Sequence, residues 1–246
     1  MGAKVTSSQT VNKTSLPTQN VPLTPEAELH LLIGSAYGEG DTESPYGHTA
    51  VYIKLKGQDY IYDFGRYGKV KPEKFGWITL EGASSPRGEG VLRVWNNFQA
   101  YIADENRQGL NSARSRTTYG YGYKIFDNQA SKVIAYYNNL IKTAKPARET
   151  AHYKSYILAQ DYFALGPNCT TQSLEAARQA IPDIVKHSER FINPDKVLPV
   201  TAKAAFKLSS YQTPSFIFLP DNLNDYLKTA PAIRIDMKNT YRSQKK

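Results

Sequence analysis

The stretch His48–Gly65, HTAVYIKLKGQDYIYDFG, reads as a β-hairpin. Its first half alternates, with Thr49, Val51, Ile53 and Leu55 on one face and His48, Ala50, Tyr52 and Lys54 on the other. That period of two predicts a half-buried strand that begins at His48. Lys56-Gly57-Gln58 is turn material, and Asp59 to Phe64 is rich in Tyr and Ile, which suits a second strand. If the loop holds two residues, parity places Asp63 on the same face as His48.

Upstream, Leu29-His30-Leu31-Leu32-Ile33 is a short apolar run closed by Gly34 and fits a buried strand better than a helix. The polar loop GEGDTESPYG separates it from His48. Residues 1–25, rich in Ser and Thr, read as a flexible segment and lack the apolar core of a secretory signal. Met1-Gly2 with Thr6 matches a myristoylation pattern that many unmodified proteins share.

Downstream, VLRVWNNF is a further strand candidate, and Asn106 to Thr118 is polar and Arg-rich. Tyr119-Gly120-Tyr121-Gly122-Tyr123 could be a base-stacking platform, although a strand packed closely on its neighbour is the commoner use of such a run. Val133, Ile134, Tyr137, Leu140 and Ile141 keep a helical period from Asn128 to Lys142, with Pro146 just beyond. A second helix is expected after Asn168, with Pro182 placed to end it. We expect one catalytic domain over residues 26–246, with a core over about 29–181 and an extension, 182–246, to which the sequence assigns no role.

The chain has 246 residues, 40% of them hydrophobic, and no apolar run long enough to span a membrane. Thirty-one basic residues against 22 acidic ones leave a net charge of +9, which favours polyanionic partners such as nucleic acid, anionic lipid or cell-wall polymer. The single cysteine, Cys169, excludes an intramolecular disulfide and a zinc site built on paired thiolates.

A lone cysteine is either an inert filler or a nucleophile. Cys169 lies in LGPNCTTQSLEAARQA, where Asn168 is a favoured N-cap, so its thiol falls in the first turn of a helix. There the orphan backbone N–H groups stabilise a thiolate and can donate to an oxyanion. A thiolate hydrolase also needs a base and a group that orients it. Of the four histidines, His30 sits in an apolar run and His152 and His187 have no evident partner. His48, at a strand start after a glycine-containing loop and with a carboxylate on the adjoining strand, is the best candidate base.

The order YGHTAVYI, then YIYDFG, then NCTTQSLEA at a helix start resembles the circularly permuted NlpC-type branch of the papain-like thiol hydrolases. The resemblance runs from about Leu31 to Ala180. Its most specific pieces are Gly47-His48-Thr49 and Asn168-Cys169-Thr170-Thr171. It implies an α+β, papain-like permuted fold: an antiparallel sheet packed against helices, with the cysteine at a helix N-terminus. It further implies Cys169 as nucleophile, His48 as base and Asp63 as orienting group, with Tyr62 or Tyr67 in that role if the hairpin loop has three residues. Asn168, Thr170, Tyr46 and Tyr62 are the candidates for substrate or oxyanion contact.

The implied chemistry is acyl transfer to water with no metal or organic cofactor. Members of this family resemble peptidoglycan amidases and endopeptidases, and the related lecithin retinol acyltransferase-like branch acts on lipid acyl chains. The expected substrate is therefore a cell-wall peptide or a phospholipid. The expected setting is a bacterial antagonistic effector of the type VI kind. It would be made in the cytoplasm, delivered by a non-Sec route to the target cell's periplasm, and partnered by an immunity protein and a component of the secretion apparatus.

A basic nucleic-acid-binding module is the non-enzyme alternative, resting on the charge, Arg114 and Arg116, and the Tyr-Gly run; dispersed basic residues and the lack of a recognised motif count against specific binding. A serine hydrolase lacks its G-x-S-x-G, and Tyr37-Gly38-Glu39-Gly40 is only a fragment of a phosphate loop.

Overall fold

The computed structural model describes residues 24–38, 46–82, 85–110, 115–197, 203 and 215–242. The expected flexible segment, apart from residues 24 and 25, lies outside them, as do Arg114 and the tip of the Gly38–Gly47 loop.

β1 (Ala27–Gly34), β2 (His48–Leu55) and β3 (Gln58–Gly65) form the centre of the protein. The turn between β2 and β3 holds two residues, Lys56 and Gly57, both at positive φ. That is the backbone twist a tight hairpin requires. Three short pieces follow, β4 (Val70–Lys71), β5 (Glu73–Phe75) and β6 (Ile78–Leu80), then β7 (Arg87–Gly88) and β8 (Val91–Trp95). Next come α1 (Phe98–Arg107), β9 (Thr117–Ile125), α2 (Asp127–Lys142), β10 (Lys145–Glu149), β11 (Tyr153–Ile157) and β12 (Tyr162–Phe163). The chain closes with α3 (Cys169–Arg178), α4 (Pro220–Thr229) and β13 (Met237–Arg242).

Eight strands make one antiparallel sheet in the order β10-β11-β8-β3-β2-β1-β9-β13. On one face Leu31, Val51, Ile53, Tyr62, Tyr121 and Tyr123 pack against apolar residues of α2, α3 and α4. On the other, Leu32, Ala50, Tyr52, Ile61 and Trp95 pack against Tyr101 and Ile102 of α1. β2 is therefore buried on both faces from His48 to Ile53 instead of half-buried. The reason is α1, whose charged residues hide its apolar stripe in the sequence. Asn97 caps it by accepting from the Ala100 N–H at 2.8 Å.

The Tyr-Gly run is a strand, β9, between β1 and β13. Tyr121 and Tyr123 are buried, so they offer no face to a stacked base. The C-terminal extension is likewise part of the domain. Ile217, Leu223, Tyr226 and Leu227 join the main core, and β13 completes the sheet beside β9, so the core runs well past residue 181. No helix among the described residues is long and apolar enough to cross a membrane.

Candidate active site

β2 and β3 stop pairing at Ala50 opposite Asp63, although each strand runs two residues further. His48 stands at this parted end, still paired with Gly34 of β1. The residue before it, Gly47, has φ +73°, and a Cβ there would lie 2.6 Å from the Gly34 carbonyl oxygen. Only glycine lets the chain turn this tightly into β2, so the Gly47-His48 pair is a backbone requirement as well as a chemical one.

α3 packs on the Thr49 face of β2 with its N-terminus at this end. The Thr170 and Thr49 hydroxyls meet at 3.0 Å, and the Ser173 hydroxyl donates to the Thr49 carbonyl at 3.3 Å. Asn168 caps the helix: its side-chain oxygen accepts from the Thr171 N–H at 3.0 Å, while its amide donates to the carbonyls of Ala164 and Phe218, each at 2.8 Å. Cys169 is the first helical residue, and helix geometry gives its N–H and that of Thr170 no acceptor within the helix.

Around the strand end the thiol of Cys169 lies within interaction range of the imidazole of His48, the backbone N–H of Thr49 and the hydroxyl of Tyr162. The far side of the imidazole is held by Asp63, with His48 Nε2 donating to Asp63 Oδ1 at 2.5 Å. That leaves Nδ1 as the ring nitrogen available to the sulfur. Asp63 is fully buried and has further donors: the Tyr67 hydroxyl on Oδ1 at 2.9 Å and Arg93 Nε on Oδ2 at 2.6 Å, with an Arg93 terminal nitrogen on that same Oδ2. Arg93 also donates to the Tyr67 hydroxyl at 3.0 Å and to Asp104 of α1 at 3.2 Å, and lies 3.9 Å over the Tyr67 ring.

The electrostatics follow from this geometry. Burial alone would push the His48 imidazole down, but the Asp63 carboxylate and then the Cys169 sulfur outweigh it and raise the imidazole to about 10. Burial would push the Cys169 thiol up; the facing imidazolium, the Thr49 N–H and the Tyr162 hydroxyl bring it below its usual value instead. For Asp63 burial again opposes ionisation, and the Arg93 guanidinium, then His48, hold the carboxyl well below the ordinary range. The three groups thus favour a thiolate–imidazolium pair backed by a carboxylate.

Of the residues singled out in the sequence, Cys169, His48 and Asp63 come together. The other candidates need correction. Tyr62 points to the opposite face, stacked at 3.9 Å on Tyr137 in the core, because its strand parity differs from that of Asp63. The Thr170 hydroxyl is buried and committed to Thr49, and the Asn168 side chain is consumed by capping. Both side chains are taken up by these structural bonds, which leaves their backbone N–H groups to the site. Tyr46, half-buried, lies against the apolar cluster of Phe75, Phe163, Leu165, Phe218 and Leu219 at the edge of the site. His30 is buried in β1, and His152 and His187 are exposed elsewhere.

Arg93 and Tyr162 were missed. Arg93 carried a signal, since it is the one charge inside the apolar run Val91–Trp95. Tyr162 carried none, because no spacing separates it from the other 17 of the chain's 18 tyrosines. Arg116, offered to nucleic acid by sequence, is buried and paired with Glu105 at 2.8 Å. Among the described residues no group of three or more His, Cys, Asp or Glu side chains is arranged to hold a metal ion. Comparison with family models, with curated proteins and with solved structures finds no match to the chain, so the site is read from its own geometry.

Proposed function

We propose that the protein is a cysteine-dependent acyl hydrolase, with the arrangement of a permuted, NlpC-type papain-like enzyme. The observation that carries this is the buried hydrogen-bonded line from Arg93 through Asp63 to His48, whose imidazole acts in turn on the Cys169 thiol. A buried filler cysteine has no use for it. In the reaction, the Cys169 thiolate attacks the substrate carbonyl carbon and forms a C–S bond. The oxyanion is received by the N–H groups at the α3 N-terminus, and the Tyr162 hydroxyl, released from the sulfur, is placed to join them. His48 gives its proton to the leaving amine or alcohol, the C–N or C–O bond breaks, and a thioester remains. Water, deprotonated by the now neutral His48, then cleaves the thioester and returns the thiol.

The preferred substrate is an amide in peptidoglycan peptides, which the net charge of +9 helps bring to an anionic wall. A phospholipid acyl ester is the second reading, since the same net charge draws the protein equally to an anionic lipid surface. For the setting we propose an antibacterial effector that acts in the target periplasm and is neutralised in its producer by an immunity protein. The test compares wild type with Cys169→Ala on purified peptidoglycan, scored for new amines, and on phospholipid vesicles, scored for free fatty acid. Activity in the first assay that vanishes in the variant supports the amide reading, and activity confined to the second supports the ester. Equal activity of the two proteins would sink the thiol mechanism. Directed to the periplasm of a test bacterium, wild type lyses cells and Cys169→Ala does not.

A further inference from the structure

Trp77 is the most exposed large apolar side chain among the described residues, at 88% of its surface. It sits in the two-residue turn Gly76-Trp77 that joins β5 to β6, with Gly76 at φ +59°. Exposure of a whole indole is not forced by the fold here, since the hairpin is anchored by its other aromatic residue. Phe75, immediately before the turn, is buried against Phe163, Leu165, Phe218 and Leu219, and a Glu73–Arg87 ion pair ties the base to β7. The same cluster carries Tyr46 and Phe163, the near neighbours of His48 and Tyr162 in sequence. The indole is thus held out on a fixed support beside the candidate active site.

The chain around it is basic. Residues 66–89 hold five basic side chains against three acidic ones. Lys69 and Lys74 are exposed, as are Tyr67 and Val70 in part. Of the acids, Glu73 is paired with Arg87 and Glu89 accepts from the Lys69 N–H, which leaves the more distant Glu81 exposed. Asp161, facing this segment, is paired with Lys71 at 2.6 Å. Tryptophan prefers the boundary between water and lipid, where its apolar ring and its N–H are both satisfied. One apolar insertion and a few lysines supply the two signals that reversible attachment to an anionic bilayer needs.

We propose that the β5–β6 hairpin is a membrane-docking element: Trp77 inserts at the interface of an anionic bilayer while Lys69 and Lys74 contact its headgroups. Docking is independent of which acyl bond is cleaved, and even of whether any is, so it is tested on the Cys169→Ala protein. The chain's two tryptophans make the experiment direct, because Trp95 is buried and its emission stays constant, so a shift on docking reports Trp77. Vesicles of equal parts phosphatidylcholine and phosphatidylglycerol should shift the emission to the blue and co-sediment the protein, and phosphatidylcholine vesicles should do so weakly. Added salt should reduce binding. Trp77→Ala should weaken partitioning by at least about tenfold, and Lys69→Glu and Lys74→Glu by about fivefold each. In Trp77→Phe the blue shift should vanish while most of the binding stays. The far-UV circular dichroism of each variant checks that it is folded. Binding unchanged in Trp77→Ala, no binding to either vesicle, or co-sedimentation with peptidoglycan sacculi but not with vesicles would each overturn the proposal.

Discussion

His30 and His48 occupy nearly equivalent places in the sheet. They lie on neighbouring antiparallel strands, on the α1 face, each buried and each with a carboxylate on Nε2: Glu28 at 2.9 Å for His30 and Asp63 at 2.5 Å for His48. Yet burial wins at His30, whose pKa falls below 6.5, while at His48 the charged neighbours win and raise it to about 10. The difference lies behind the carboxylates. Glu28 is two residues along the same strand, 30% exposed and free to share itself with water. Asp63 is fully buried and clamped by Arg93 and Tyr67, so its charge is fixed against the imidazole. The second nitrogens differ as well. His30 Nδ1 has no hydrogen-bond partner among the described residues, whereas the ring of His48 interacts with the thiol. A buried histidine with an acidic neighbour becomes a charged, chemically useful group only when that neighbour is itself held ionised.

Exchanging each group in turn should pull the two sites further apart. His48→Gln should lower kcat/KM by about 10⁴-fold, as loss of a general base does, while His30→Gln leaves it unchanged; comparable losses in both would mean the contrast is structural only. Asp63→Asn should cost about 10²–10³-fold and leave a second mark in the pH profile. In wild type, activity falls as pH rises through the His48 value of about 10, because the imidazolium is lost. Without the Asp63 charge that alkaline limb moves to lower pH; an unmoved limb would assign it to another group. Arg93→Lys keeps the charge but not the fork that reaches Asp63, Tyr67 and Asp104 together, so a fall of about tenfold in kcat/KM with KM nearly constant is expected. Full activity in Arg93→Lys would show that a point charge suffices.

Much of this site was legible in the sequence because it rests on local rules. The two-residue turn at Lys56-Gly57 fixes parity, and parity alone puts Asp63 with His48. Asn168 marks the helix start that carries Cys169. What the sequence hid depends on contacts distant along the chain. α1 covers the second face of β2 although its stripe, Phe98, Tyr101, Ile102, is interrupted by Asp104 and Glu105, which turn inward to Arg93 and Arg116. A helix that buries carboxylates cannot be found from apolar spacing. Residues 217–227 likewise belong to the extension to which the sequence assigns no role, and it is α4 that places them against β1. Tyr62 was misread for a simpler reason: next to Asp63 in sequence means opposite to it in a strand.

The smallest expected effect separates the histidines by stability instead of rate. Because folding lowers the pKa of His30, the native state prefers it neutral. It therefore adds stability above pH 6.5 that is lost as pH falls below 6.5 and the unfolded chain takes up the proton. The slope from one such group is at most about 1.4 kcal/mol per pH unit. His48 has the opposite sign: its raised pKa adds stability that is complete below pH 6.5 and drains away as pH rises toward 10. His30→Gln should therefore flatten the acid side of the stability curve and leave the alkaline side intact, measured by urea unfolding at a series of pH values. The ring occupies the space that glycine leaves on β9, where a Cβ on Gly122 would lie 2.6 Å from His30 Cε1. An acid slope identical in wild type and His30→Gln would mean that the imidazole is not held neutral, and that the unpinned Glu28 grips it as firmly as Asp63 grips His48.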